Sequence, residues 1–404
     1  MSATSDGSGQ SITHGAATST GAAIEPASGV KSHGSQTKLR VQAPSRNLIA
    51  DGLRGIAAML VVVYHMHINA EPMFRGAEPA WLVSLIGSFG AAGVNMFFVL
   101  SGFVIALSLR SAALSWRYAG LFALRRSIRL DPPYWFAIVM SLAMAKISAV
   151  LFTELAGRGQ IDGRQLLAHL FYLQNILGYG DISAVFWTLC IEVQFYLFFV
   201  VAMTLVSKLT GARGSGTTAV AVAAVVSCVS CISLLMQLLQ LKFPIEGFFL
   251  RYWHMFALGA ITCWYRYGDL SHRWLWGAVA GEALLVATQL SLPHLTPLIA
   301  AGALASAAAG PALAWLTREP WQYFGRISYS VYLTHGVIGW STISVLKRIF
   351  GTSGGVLQGV LFMAMGVASS VLAAEILYRL LERPAIRFSK RVRMPSAPQR
   401  GMAA

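Results

Sequence analysis

Arg54 and His65 stand eleven residues apart in DGLRGIAAMLVVVYHMH, residues 51–67. On an α-helix that interval is about three turns, so guanidinium and imidazole share one face about 16 Å apart along the axis. Titratable groups inside an apolar segment are costly, face a bundle interior or a wet cavity, and are functional candidates by default. Glu192, in FWTLCIEVQFYLFF, is expected at the depth of His65 once helix directions are assigned. A carboxylate level with an imidazole suits general base catalysis, because the acid orients the ring and stabilises its charged form. A buried polar pair that only fixes helix packing is the alternative. His67 points to another face and is expected at an interface.

A different chemistry is written in RRSIRLDPPYW, which puts Arg125, Arg126 and Arg129 where a helix enters the membrane. Arg126 and Arg129 are three apart and share a face. Such a cluster either holds phosphates through bidentate, charge-assisted bonds or anchors the chain at lipid headgroups, and Asp131 is placed to pair with one of its members. Ser101 and Gly102 in MFFVLSGFVIAL are small enough to let a helix or an acyl chain approach closely. SYSVYLTH carries Ser328, Tyr329, Tyr332 and His335, the last either a ligand contact or a satisfied core histidine. In LERPAIRFSKR, Pro384 and the basic residues after it read as a helix stop and an anchor.

The elements that must position these residues are membrane helices. The 404 residues are 56% hydrophobic and 12% charged, with a mean hydropathy of +0.60, which excludes an ordinary soluble domain. Ten segments long enough to cross a hydrocarbon layer are centred near Leu60, Phe98, Val139, Tyr196, Val226, Ala257, Leu284, Ala305, Gly339 and Ala368. Two further stretches, Leu114 to Leu124 and Gln165 to Leu177, read as amphipathic or re-entrant pieces. The fold class is therefore all-α, a polytopic integral membrane protein. Residues 1–46 read as a disordered cytoplasmic tail, 47–390 as the transmembrane domain and 391–404 as a basic cytoplasmic tail.

With both termini cytoplasmic, Lys and Arg fall nearly threefold more often inside than outside. This topology also accounts for the net charge of +15 without nucleic acid, since no aromatic-interleaved basic patch occurs. Cys190, Cys228, Cys231 and Cys263 lie in apolar segments with no histidine near the CxxC, so no metal site is expected. Signatures of soluble enzymes (GxSxG, P-loop, HExxH) do not occur in the sequence.

From about Arg46 to Lys390 the chain resembles the membrane-bound acyltransferase 3 family, which includes bacterial O-antigen and exopolysaccharide O-acetyltransferases and some macrolide acyltransferases. The resemblance rests on the Arg-x10-His of Arg54 and His65, on FFVLSGF, on the RxxR of Arg126 and Arg129, on WTLCIEVQFYLF, on SYSVYLTH and on ERP. It implies about ten helices and transfer of an acyl group, commonly acetyl from acetyl-CoA, to a hydroxyl. It also implies that His65 is catalytic, that Glu192 is the acidic residue of the WxLxxExxFY pattern, and that Arg54, Arg126 and Arg129 handle the donor.

The mechanism so implied has acyl-CoA entering from the cytoplasm as co-substrate, with no tightly bound cofactor. Its phosphates rest on Arg125, Arg126 and Arg129, and Ser101, Tyr329 and His335 lie along the donor path. His65, assisted by Glu192, deprotonates an acceptor hydroxyl arriving from the outer side, whose oxygen attacks the thioester; an acyl-His65 intermediate is the variant. Acceptor contacts are expected from the long outer loop, about Phe152 to Ala184, and its flank, through Tyr172, Asn175 and Trp187. The acceptor class implied is a surface polysaccharide, a lipid-linked glycan or a lipo-oligosaccharide, and the location a bacterial inner membrane. The rival reading is a transporter with Arg54, His65 and Glu192 as a proton relay. Against it, the second half repeats no Arg-His pattern of the kind paired transporter halves would carry.

Overall fold

The computed structural model describes residues 47–395 apart from short stretches at 75, 111, 152–160, 211–214, 243–244, 246 and 307–310. The expected tail at 1–46, the end of the basic tail from 396 onward and the first part of the long outer loop lie outside the described residues. The described elements are helical: α1 (Leu48–Phe74), α2 (Ala80–Leu109), α3 (Trp116–Leu151), α4 (Gly163–Leu170), α5 (Trp187–Leu209), α6 (Ser215–Leu238), α7 (Trp253–Arg266), α8 (His272–Gln289), α9 (Leu292–Ala305), α10 (Trp321–Thr334), α11 (Trp340–Phe350), α12 (Gly355–Leu377) and α13 (Arg383–Ser389). A π-helical turn, His335–Gly339, joins α10 to α11, and a second, Tyr378–Glu382, joins α12 to α13.

Among the described residues, six runs are long and apolar enough to cross a membrane: α1, α2, α3 up to Val150, α5, Val220–Leu238 in α6, and Gly355–Ser389. The sequence pattern predicted ten. The other four centres fall on pieces that do not meet that measure: Ala257 in the 14-residue α7, Leu284 in α8, Ala305 at the very end of the 14-residue α9, and Gly339 in the π turn. The misplaced eighth centre has a simple cause. The Ala-rich run after Ala300 stays apolar past the end of α9, so hydropathy does not mark where the helix stops. The stretch Leu114 to Leu124 is likewise no separate piece from Trp116 onward, because α3 runs through it without a break.

Helices α1, α2, α7 and α10 pack at the centre, and glycine sets how closely. A Cβ on Gly102 would collide with the Phe256 carbonyl, and one on Gly259 with the Val99 carbonyl, so α2 and α7 cross backbone to backbone. The same device joins α1 to α10. Gly325 faces the Asp51 carbonyl, and a Cβ on Gly55 would lie 2.5 Å from the Trp321 carbonyl oxygen. In hydrocarbon, where lipid tails are as apolar as leucine, this close van der Waals contact is what favours helix association.

Candidate active site

Because α1 and α10 touch without intervening side chains, their register is fixed from Asp51 onward. Asp51 lies at Gly325, and fifteen residues later Met66 lies against Gly339 in the turn that follows α10, so the two chain segments run in the same direction. That parallel course brings His65 beside His335. Their rings are 4.9 Å apart between centroids, and His335 Nε2 is 3.3 Å from His65 Nδ1.

The backbone then decides where the protons sit. His65 Nδ1 is 2.9 Å from the Val61 carbonyl and His335 Nδ1 is 3.0 Å from the Val331 carbonyl. A carbonyl only accepts, so both Nδ1 atoms carry hydrogen and both Nε2 atoms carry a lone pair. His65 therefore shares its Nδ1–H between Val61 and His335, and its Nε2 makes no hydrogen bond among the described residues. This is the protonation pattern of a general base held in place by a neighbour. His335 is fully buried and starts the π turn, a helix defect that recurs at functional sites.

His65 opens on a cavity of about 290 Å³, whose lining includes Ser141, Ser148, Ser183, Ser341 and Trp340. Four serines and an indole thus share the lining with His65 and with apolar residues such as Met144, Ile182 and Val337. Beyond His335 stands Tyr332, ring to ring at 5.7 Å, with its hydroxyl 2.5 Å from Thr188 Oγ1. On its far side a small cavity of about 40 Å³ is lined by Ser101, Thr188, Glu192 and Tyr332.

Glu192 belongs to that second cavity and does not pair with His65. Its Oε1 accepts from Ser101 Oγ and from the Tyr196 hydroxyl. The expected His65–Glu192 pair is corrected on this point, and the reason is rotational. Depth along the bilayer sets the level of a residue, but the helix face sets its partner, and Glu192 turns toward α2 while His65 turns toward α10. His335, expected on the donor path, is instead the neighbour of the catalytic candidate.

At the opposite end of the bundle the arginines converge. Arg54, Arg126 and Glu382 all lie within electrostatic range of Arg129. Arg126 rests over the Tyr196 ring at 4.6 Å, which links the cluster to Glu192 through one tyrosine. Glu382, read from sequence as part of a helix stop, is 3% exposed and accepts from Ser330 Oγ at 2.6 Å. Tyr329 donates to the Leu130 carbonyl at 2.9 Å, tying α10 to α3 just beyond Arg129. Two prolines follow at once, Pro132 and Pro133, and remove the backbone donors that the Ile128 and Arg129 carbonyls would meet in an unbroken helix. Arg125 lies within range of the Tyr118 hydroxyl.

The three expected acceptor contacts do not line the His65 cavity. Tyr172 donates to Asp131 at 3.0 Å and stacks on Tyr134, Asn175 donates to Asp181 at 3.1 Å, and Trp187 packs on Tyr252 at 5.7 Å between ring centroids. They brace the segment after α4, which presents Ile182, Ser183, Ala184 and Val185 to the cavity in their place. His169 holds that segment as well: its Nε2 accepts from the Ile182 backbone N–H at 3.0 Å while its Nδ1 donates to Gln165 at 2.8 Å. Burial lowers its pKa from 6.5, and burial raises that of Asp181 above the ordinary carboxylate value.

Comparison with known proteins bears on what this arrangement does. The acyltransferase 3 family, described as an acyltransferase domain, matches residues 47–375. O-acetyltransferase OatA of Staphylococcus aureus (strain NCTC 8325 / PS 47) is 30% identical over 163 residues, covering 39% of this chain and 24% of that protein. Acyltransferase MdmB of Streptomyces mycarofaciens is 31% identical over 165 residues, 39% of each chain. Nodulation protein 10 of Rhizobium leguminosarum bv. viciae is 29% identical over 174 residues, 36% of this chain and 41% of that protein. The matches thus span between a quarter and two fifths of these relatives. No solved structure matches.

Proposed function

This chain belongs to the acyltransferase 3 family of membrane acyltransferases, and from that premise we propose that it moves an acyl group, acetyl foremost, from acyl-CoA to a hydroxyl of a carbohydrate acceptor. Membership sets aside the transporter reading. The observation that carries the proposal is that the Val61 carbonyl and His335 both engage His65 Nδ1, which leaves Nε2 of a residue lining a cavity without a partner among the described residues. A relative named as an O-acetyltransferase supports the acetyl group, and the serines in the lining suit a hydroxyl-bearing acceptor.

In this account the arginine end faces the cytoplasm and the His65 cavity the outer side. Arg54, Arg126 and Arg129 take the phosphates of the donor, and its pantetheine arm reaches past Glu192 and Tyr332 toward His65. His65 Nε2 accepts the proton of the acceptor hydroxyl as that oxygen bonds to the thioester carbon. The C–S bond breaks, and the departing CoA sulfur takes the proton. Imidazolium formation strengthens the Nδ1–H bond to His335 Nε2, so His335 stabilises the charge that appears during reaction.

The test is transfer of radiolabelled acetyl from acetyl-CoA in membranes holding the wild-type protein or His65→Ala, followed into glycan, lipid and small-molecule fractions. Label in the glycan fraction that requires His65 supports the proposal. Label that appears at wild-type rate with folded His65→Ala refutes the role of His65, and label confined to a non-carbohydrate fraction refutes the acceptor.

A further inference from the structure

A third opening lies apart from both cavities. Between α3 and the run from Tyr378 through α13 the surface forms a groove of about 730 Å³. Ile128, Pro132 and Trp135 make one wall, and Leu380, Pro384 and Phe388 the other. Trp135, Leu380 and Phe388 are 43%, 68% and 54% exposed. Both walls belong to runs long and apolar enough to cross a membrane, and the exposed Trp135, Leu380 and Phe388 give the groove an apolar face.

One end of the groove is charged. Arg387 and Arg391, four residues apart, both line it, and neither forms an ion pair among the described residues. Arg391 lies over the Phe388 ring at 5.3 Å, which orients its guanidinium along the groove wall. The carboxylate in the lining, Asp131, is already engaged, because Ser127 Oγ donates to one of its oxygens and Tyr172 to the other. Two arginines that form no ion pair among the described residues, beside an apolar slot, call for a ligand that is anionic at one end and aliphatic along the rest.

We propose that this groove binds an acidic glycerophospholipid of the surrounding bilayer, with the phosphate on Arg387 and Arg391 and one acyl chain between the two walls. Guanidinium groups suit the phosphate because they meet its oxygens in bidentate pairs. The bound lipid braces α3, which carries Arg126 and Arg129, against the run that carries Glu382. This inference does not depend on which acyl group or acceptor the protein uses.

The test is native mass spectrometry of the full-length protein, solubilised in detergent and titrated with phosphatidylglycerol or phosphatidylcholine. Wild type is expected to retain phosphatidylglycerol and not phosphatidylcholine. Arg387→Ala/Arg391→Ala is expected to bind it roughly 30-fold more weakly. Lys390→Ala/Arg393→Ala, which removes equal charge outside the groove lining, is expected to bind as wild type does. Ala385→Phe, which fills the slot and leaves both arginines, is expected to lose binding while eluting as a monodisperse protein. Equal loss in the two double variants, unchanged binding in Ala385→Phe, or retention of polyprenyl phosphate or acyl-CoA in preference to phosphatidylglycerol would overturn the proposal.

Discussion

His254–Glu282 and His65–His335 are two of the histidine pairs among the described residues, and they differ in one respect that matters. His254 Nδ1 meets Glu282 Oε1 at 2.6 Å between α7 and α8, with side chains 1% and 3% exposed. Here is the intramembrane histidine–carboxylate pair that general base catalysis brings to mind, but both side chains are closed off from the surface, and His254 Nε2 is buried without a hydrogen-bond partner among the described residues. His65 has a weaker-looking neighbour, a second histidine at 3.3 Å, yet it opens on a cavity of about 290 Å³. Under the proposed function, access and not strength of pairing marks the reacting centre, and the sealed pair is a packing device whose removal should be felt in stability.

That contrast can be broken most forcefully at the sealed pair. His254→Ala leaves Glu282 alone in the interior and should destabilise the protein by about 3–5 kcal/mol, read as loss of thermal stability in detergent, while the rate per folded molecule stays at wild type. A fall in rate without a fall in stability would move the reacting centre to α7 and α8. At the arginine end, Arg126→Ala/Arg129→Ala removes charge-assisted bonds worth about 1.5–3 kcal/mol each, so acyl-CoA affinity should drop at least tenfold. Unchanged affinity by isothermal titration would leave these residues as headgroup anchors.

A smaller effect sharpens the role of His335. His335→Phe keeps the bulk and removes the acceptor of one hydrogen bond worth about 1 kcal/mol, so kcat should fall roughly fivefold with the donor KM unchanged. His335→Gln, which can still accept, should recover part of the loss. A purely structural role would instead lower the folded fraction and leave kcat per folded molecule intact. The smallest effect belongs to His169. Its neutral form holds Ile182 and its pKa lies below 6.5, so the unfolded chain binds more protons as pH falls through that value. Stability from this group is full above pH 6.5 and is lost as pH drops toward the lowered pKa. Wild type should therefore lose thermal stability in that window more than His169→Gln does; parallel curves would remove His169 from the account.

The all-helical, apolar architecture and the RxxR cluster were legible in composition and spacing, because hydropathy and charge report directly on burial. In space Arg54 and Arg126 both lie within electrostatic range of Arg129. Partner choice was not legible. Counting residues along the bilayer put Glu192 beside His65, whereas the rotation of each helix puts Ser101 and Tyr196 on Glu192 and His335 on His65. The missing information was the register between α1 and α10, which rests on Gly55 and Gly325. Those glycines were in the sequence, but a close crossing shows only when the facing carbonyl is known. Glu382 was hidden in the same way, since a carboxylate beside Pro384 reads as a helix stop until Arg129 is seen next to it.

The measurement that bears most directly on the account is the single-turnover rate of acetyl transfer by His65→Ala and His254→Ala side by side, each normalised to folded protein. Loss of a general base costs about 10²- to 10⁴-fold. The account predicts that loss for His65→Ala, with acyl-CoA binding intact, and wild-type rate for His254→Ala. The reverse pattern would contradict it and assign the chemistry to the pair between α7 and α8.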